Sequence, residues 1–168
     1  MCCIFSSCVA YYVDQETSKA ERYGGQLSDE RKQLKVGVRV GKGEPPGYKW
    51  TVGVLELAHQ EALSILNNGQ RRHLALQVKE LASQDEVSVS DTIDLRPIGD
   101  DIFEIRDYGG ILGGLNIRLF FGVDHARRCL VVLGVFKKQN NGPTPKGDLV
   151  RNQRRWRLYK SGEFGSMD

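Results

Sequence analysis

An apolar run of eight residues, CLVVLGVF, restricts the possible folds of this chain more than any other segment. It is too short to cross a membrane, and its valines and lack of alternation favour a strand that is covered on both faces. The run ends in two adjacent lysines, Lys137 and Lys138, before a loop that contains glycine and proline. We therefore expect a central strand that carries positive charge out of the core at one end, with one of the two lysines pointing to each side.

Two further strand signals, DIFEIRD and LNIRLFFGVD, precede this run, and short segments separate all three. Such spacing predicts an antiparallel meander. In the first strand Phe103 and Ile105 share one face, which leaves Glu104 and Arg106 on the other. In the second, Arg118 lies opposite the large apolar side chains. The sequence does not fix the register between the two strands, so Arg106 and Arg118 can protrude from the same face of the sheet.

A strand signal, YKWTVGVLELA, opens the folded domain, and two helical stretches follow it. They run from His59 to about Leu66 and from about Gln70 to Ser83. In the second, Leu74, Val78 and Leu81 recur at a core-facing helical spacing. We expect a helical hairpin packed on the sheet, followed by a loop around SVSDTIDLRPIGD.

The basic segment near the C-terminal end begins with a helix signal, TPKGDLVRNQRRWRLYK. Thr144 is a candidate cap, Pro145 suits the first helical position, and Leu149 and Trp156 share one stripe. The segment from residue 137 to residue 160 contains eight basic residues and one acidic residue, a net charge of +7. Because the whole chain carries +3, the remaining residues carry −4. Charge concentrated in this way is typical of surfaces that bind phosphates.

With 168 residues and 40% hydrophobic composition, the chain can build one core. We expect an α+β domain over residues 48–160, a loosely ordered N-terminal extension over residues 1–47 and a short tail over residues 161–168. The opening segment lacks the features of a membrane span or a secretory signal, which favours a cytoplasmic protein without membrane contact. The cysteines and histidines show no metal-binding spacing, so we expect no metal and no cofactor.

Taken in order, the motifs LRPIGDDIFEIRD, NIRLFFGVD and VVLGVFKKQNNGPTPK resemble the RelE/HigB toxin superfamily, in particular its phage-derived, HigB-like branch. The resemblance extends from Trp50 to about Lys160. It implies a RelE-like fold in which two N-terminal helices pack on a small, mainly antiparallel sheet of about four strands, with a C-terminal basic helix. It also implies the toxin of a type II toxin–antitoxin system, a ribosome-dependent mRNA endonuclease that a HigA-like helix-turn-helix antitoxin holds inactive.

The resemblance also implies roles for individual residues. Basic strand residues would surround the scissile phosphate, and here these are Arg106, Arg118, Lys137 and Lys138. The family varies in its general base, and the candidates in this chain are Tyr159, Tyr108, His125 and Glu104. We expect the backbone of ribosomal RNA to bind the basic residues of the last helix, Lys146, Arg151, Arg154 and Arg155.

Cleavage through the 2′-hydroxyl of RNA requires deprotonation of that hydroxyl, neutralisation of the phosphorane and protonation of the leaving oxygen. Arginine suits the second task because its planar fork pairs with phosphate oxygens and keeps its charge. No metal is needed for this route. Two alternatives share the expected fold: a ParE-like toxin that inhibits gyrase, and a catalytically decayed toxin that only binds its antitoxin.

Overall fold

The computed structural model describes residues 38–40, 47–140 and 142–163. Within them, six strands and three α-helices follow one another along the chain. Their bounds are β1 (Val38–Val40), β2 (Thr51–Leu55), α1 (Glu56–Ile65), α2 (Asn68–Ala82), β3 (Asp94–Gly99), β4 (Ile102–Tyr108), β5 (Asn116–Asp124), β6 (Cys129–Lys138) and α3 (Lys146–Lys160). The strands form one sheet in the order β1-β2-β6-β5-β4-β3, so the fold is α+β.

The predicted antiparallel meander and central strand are both confirmed. β4 pairs with β5 and β5 with β6, each antiparallel, while β6 pairs on its other side with β2 in parallel. Every residue from Cys129 to Val135 is buried. A strand with neighbours on both edges and cover on both faces has no position for a polar side chain, which explains the unbroken apolar run.

The structure adds two strands to the four expected from sequence. β3 occupies part of the segment expected to be a loop, and it pairs antiparallel with β4 at the sheet edge. Only Leu95 and Ile98 are half-buried in it, and Pro97 is tolerated because the strand lies at an edge. β1 pairs antiparallel with β2 and lies within the expected N-terminal extension. The remainder of that extension, and residues 164–168 of the tail, lie outside the described residues.

Helix α2 of the expected hairpin packs on one face of the sheet. α1 buries Ala58 and Ala62, and α2 buries the predicted stripe that includes Leu74, Val78 and Leu81. His73 of α2 lies 2.7 Å from the carboxylate of Asp107, so α2 packs on the β4 face that carries the odd-numbered residues. None of the helices in the described part of the chain is long and apolar enough to span a membrane.

Helix α3 packs on the opposite face, as the position of Trp156 shows. A Cβ atom added to Gly122 would lie 2.4 Å from the Trp156 ring, so the strand needs glycine where the indole packs. Leu149 also packs against the core, as its stripe predicted. The prediction that Thr144 caps the helix is wrong. Pro145 is the N-cap residue and supplies no side-chain hydrogen bond. The Thr144 hydroxyl instead donates to the carboxylate of Glu104.

An ion pair between buried Arg155 and half-buried Glu61 fastens α3 to α1 and β6. Arg155 Nη2 donates to Glu61 Oε1 at 2.7 Å, and Arg155 Nη1 donates to the Leu133 carbonyl at 2.8 Å. Glu61 Oε2 also accepts from the backbone N–H of Val135 at 3.0 Å. Beside these contacts the pairing of β5 with β6 shifts its register, between Phe120 and Phe121. The ion pair therefore satisfies backbone groups beside this irregularity of the central strand.

Arg155 and its neighbour Arg154 provide a matched test of this anchor. We expect Arg155→Ala to lower the free energy of unfolding by about 3 kcal/mol or more, because it leaves Glu61 without its buried partner. Arg154 is exposed, so Arg154→Ala should change stability by less than about 0.5 kcal/mol. Urea unfolding followed by tryptophan fluorescence measures both. Equal effects of the two substitutions would contradict the anchoring role.

Candidate functional site

Three cations lie on one face of the sheet, at the end where β6 leaves the core. Arg106 of β4 stands directly opposite Arg118 of β5, and Lys138 of β6 stands opposite Asn116 of β5. Residues that face each other across antiparallel strands share a face, and so do residues two apart in one strand. Three neighbouring strands therefore bring Arg106, Arg118 and Lys138 together.

Glu104 lies between the two arginines and has no solvent exposure. Arg106 donates to Glu104 Oε2 from Nη2 at 3.2 Å and from Nε at 3.3 Å. Arg118 Nε lies 3.1 Å from Glu104 Oε1, and the Thr144 hydroxyl donates to that same oxygen at 2.5 Å. We call Glu104, Arg106, Arg118 and Lys138 the cationic cluster. It holds three basic groups against one carboxylate, an excess of positive charge suited to an anion.

Arg118 is the most firmly held cation of the cationic cluster. Its Nη1 donates to the side chain of Asn116 and to the Ile117 carbonyl, the latter at 3.0 Å. Burial lowers the pKa of Arg118, Glu104 opposes that change and Arg106 adds to it. A guanidinium keeps its charge at any working pH all the same. Arg118 is therefore a rigid, permanently charged donor, the kind of group that stabilises a transition state without reorganisation.

Lys138 is buried more deeply than a lone lysine normally is. The residue is 5% exposed, and its Nζ has no hydrogen-bond partner among the described residues. Burial lowers the pKa of Lys138, and the neighbouring Arg118 and Arg106 lower it further, while Glu104 opposes them. A buried donor without a hydrogen-bond partner costs free energy, so a hydrogen-bond acceptor that reaches this amine would remove that cost.

Lys137 is not part of the cationic cluster. It pairs with Ile117 of β5, so it points to the opposite face, and it is exposed. The sequence predicted that the twin lysines would point to different sides, and the register agrees. Tyr108 lies two residues beyond Arg106 on the cluster face and is 70% exposed.

Tyr159 lies at the other end of the sheet, contrary to its place in the predicted catalytic set. Its hydroxyl donates to Asp124 at 3.0 Å, and Arg127 donates to the same oxygen of Asp124 at 2.9 Å. Asp124 is six residues from Arg118 along β5, or about 20 Å. Burial raises the pKa of the Tyr159 hydroxyl, and the nearby Cys129 and Asp124 raise it further, so the group is a poor proton acceptor.

His125, another predicted candidate for the base, also lies far from the cationic cluster. It occupies the turn between β5 and β6, is largely exposed, and packs edge-on against the Trp50 ring at a centroid distance of 5.6 Å. Of the four candidates for the base, the structure thus brings Glu104 and Tyr108 to the cluster face and leaves Tyr159 and His125 elsewhere.

The basic residues of α3 divide into two groups. Arg155 is buried in its ion pair with Glu61, so it is not exposed for the predicted contact with RNA. Arg151 is exposed but pairs with Asp148 at 2.7 Å. Lys146 and Arg154 are exposed and have no ion pair among the described residues. Exposed Arg157 and Lys160 extend the same helix surface.

Two contributors to the site, Thr144 and Asn116, were not assigned a role from sequence. The sequence indicated Thr144 only as a helix cap, and Asn116 lies two residues before Arg118 on the same face of β5. Neither carries a local pattern that indicates contact with a buried carboxylate or arginine. Among the described residues no group of three or more histidine, cysteine, aspartate or glutamate side chains is placed to hold a metal ion.

Comparison of the chain with protein-family models, curated proteins and solved structures finds no match. The geometry of the cationic cluster and the motifs of the sequence are therefore the indications of function.

The unpartnered amine of Lys138 leads to a prediction about stability. Lys138→Met keeps the length and apolar stem of the side chain while removing the buried amine, so we expect a higher urea midpoint than in the parent protein. Lys137→Met, one residue away but exposed, should leave the midpoint nearly unchanged. A lower midpoint for Lys138→Met would show that the amine has a partner in solution.

Asp124 leads to a prediction about pH. Burial raises its pKa, but hydrogen bonds from Arg127 and Tyr159 outweigh burial and hold the pKa below its usual value. Its contribution to stability is therefore present above about pH 3.9, the usual value for an unfolded chain, and is lost as the pH falls through the folded-state pKa. We expect Asp124→Asn to cost about 2 kcal/mol near neutral pH. The difference should shrink in urea titrations towards about pH 2, and a constant difference would contradict this account.

Proposed function

We propose that the protein is a ribosome-dependent mRNA endonuclease, the toxin of a type II toxin–antitoxin system with a RelE-like fold. The observation that carries the proposal is the cationic cluster, in which Arg106, Arg118 and Lys138 come from three adjacent strands and gather on one face. The order of elements supports it as well. Two helices follow a first strand of the domain, a meander of three strands comes later, and a basic helix ends it.

The cationic cluster suits a phosphodiester undergoing attack. Arg106 and Arg118 have their positions fixed by Glu104, so they lose little reorganisation energy when an anion arrives. Phe120 and Phe136, which stack with centroids 5.8 Å apart, share that face beside them. Apolar neighbours lower the local dielectric and strengthen the attraction between a cation and a phosphate. This arrangement favours neutralisation of charge in the transition state.

Helix α3 would supply binding rather than chemistry. Its exposed cations, Lys146, Arg151, Arg154, Arg157 and Lys160, lie along the element that packs on the same side of the sheet as the cationic cluster. Contacts of this kind bind the phosphate backbone without reading sequence and weaken as salt rises. The proposed partners are accordingly the ribosome with its mRNA, and a HigA-like helix-turn-helix antitoxin that restrains the toxin in the cytoplasm.

The experiment compares Arg106→Ala with Lys137→Ala. Arg106 is partly exposed, and its loss leaves Glu104 paired with Arg118 and Thr144, so the fold should survive. Primer extension on mRNA in programmed ribosomes should reveal cuts made by the parent protein. We expect Arg106→Ala to slow them on the order of a hundredfold, as loss of one preorganised donor does. Lys137→Ala, on the opposite face, should cut at nearly the parental rate.

Other outcomes would contradict the proposal in distinguishable ways. Inhibition of gyrase supercoiling without mRNA cuts would favour a ParE-like toxin. Failure to cut mRNA or inhibit gyrase, combined with tight binding to the product of an adjacent helix-turn-helix gene, would favour a decayed toxin. Loss of cleavage in both variants alike would remove the cationic cluster from the mechanism. Circular dichroism of each variant separates such results from unfolding.

A further inference from the structure

The cleavage proposed above needs a group that takes the proton of the attacking 2′-hydroxyl, and most candidates are unsuited to it. Both oxygens of Glu104 already face cations or a hydroxyl donor, so neither oxygen is free to receive the proton of a 2′-hydroxyl. Tyr159 and His125 lie at the far end of the sheet. Tyr108 stands on the cluster face but is mostly surrounded by water.

Lys138 differs from all of these in its surroundings. The charged groups that face it are Arg118 of β5 and Arg106 and Glu104 of β4, so two positive neighbours outweigh one negative neighbour. Its Nζ is buried and has no acceptor among the described residues, so nothing compensates the desolvation of an ammonium. Burial and like charge together favour the neutral amine, the form that can accept a proton.

We propose that Lys138 is the general base of this site, an inference that rests on the proposed nuclease function. In this step Lys138 Nζ takes the proton of the 2′-hydroxyl as the oxygen bonds to phosphorus. The bond between phosphorus and the 5′-oxygen then breaks, and the departing oxygen takes a proton from water. The products are a 2′,3′-cyclic phosphate and a 5′-hydroxyl end, and the lysine returns its proton to solvent.

The position of Lys138 suits this role. It is the last residue of β6, so the strand ladder holds its backbone while its four-carbon stem can carry the amine towards a phosphate held by Arg106 and Arg118. The negative charge of that phosphate favours the protonated lysine, so substrate binding increases the tendency of the amine to take a proton. Arginine could not replace it, because a guanidinium does not release its proton at working pH.

Lys138→Arg is the decisive variant because it keeps a long basic side chain that can contact a phosphate and removes the ability to accept a proton. Programmed ribosomes carrying a 2′-O-methyl mRNA, which cannot be cut, should bind the variant as well as the parent. On ordinary mRNA we expect cleavage to slow on the order of a hundredfold or more. The parental rate should rise with pH as Lys138 loses its proton, and Lys138→Arg should lack this rise.

Arginine is larger than lysine, so a second variant guards against a packing effect. We expect Lys138→Ala to be inactive and to regain cleavage when ethylamine is added, with other primary amines restoring it according to their basicity. Tyr108→Phe and Lys137→Arg should cleave at nearly the parental rate. Rescue by added amines would be absent if the lysine were only structural.

The possible failures are separable. Parental cleavage by Lys138→Arg, or loss in Tyr108→Phe with retention in Lys138→Arg, would overturn the role of Lys138 and leave the nuclease proposal intact. Absence of rescue together with an unchanged pH profile in Lys138→Arg would also overturn it. A parent protein that cuts no mRNA would overturn both proposals together.

Discussion

The buried carboxylate of Glu104 organises the site, because a charge without solvent must be surrounded by partners. Arg106 and Arg118 approach it from β4 and β5, and Thr144 donates to it from the loop that enters α3. An unpaired carboxylate there would be costly, whereas a fully surrounded one fixes its neighbours in place. One side chain thus sets the positions of two guanidinium groups and of the approach to the last helix.

A second carboxylate, that of half-buried Glu61, has a comparable role in the fold. It joins α1, the backbone of β6 and Arg155 of α3, beside the register shift of the central strand. The last helix is therefore held from both sides, by Glu61 along its length and by the Thr144 contact at its start. Helix α3 covers one half of its sheet face, and the cationic cluster occupies the other half. The contacts that hold α3 on the sheet therefore also set the edge of the candidate site.

Adjacent basic residues in this sequence have different environments in the structure. Arg155 is buried in an ion pair with Glu61, while its neighbour Arg154 is exposed to solvent. Lys137 is exposed on one face, while Lys138 is buried on the other beside two arginines. The proposed chemistry follows from this difference: solvated cations attract a polyanion, fixed guanidinium groups stabilise developing charge, and a desolvated amine can exchange a proton.

The sequence by itself determined the meander, the central strand, the helical hairpin and the opposite orientations of Lys137 and Lys138. These follow from the periods of strand and helix, which are local properties. It did not predict β3, whose exposed residues and Pro97 lack an apolar pattern, nor that Tyr159 lies far from the arginines and Arg155 lies buried. Those outcomes depend on register and on packing between distant segments, such as Thr144 with Glu104 and Arg155 with Glu61. Only the tertiary structure decides which charges lose their water, and that loss is what separates a structural ion pair from a reactive group.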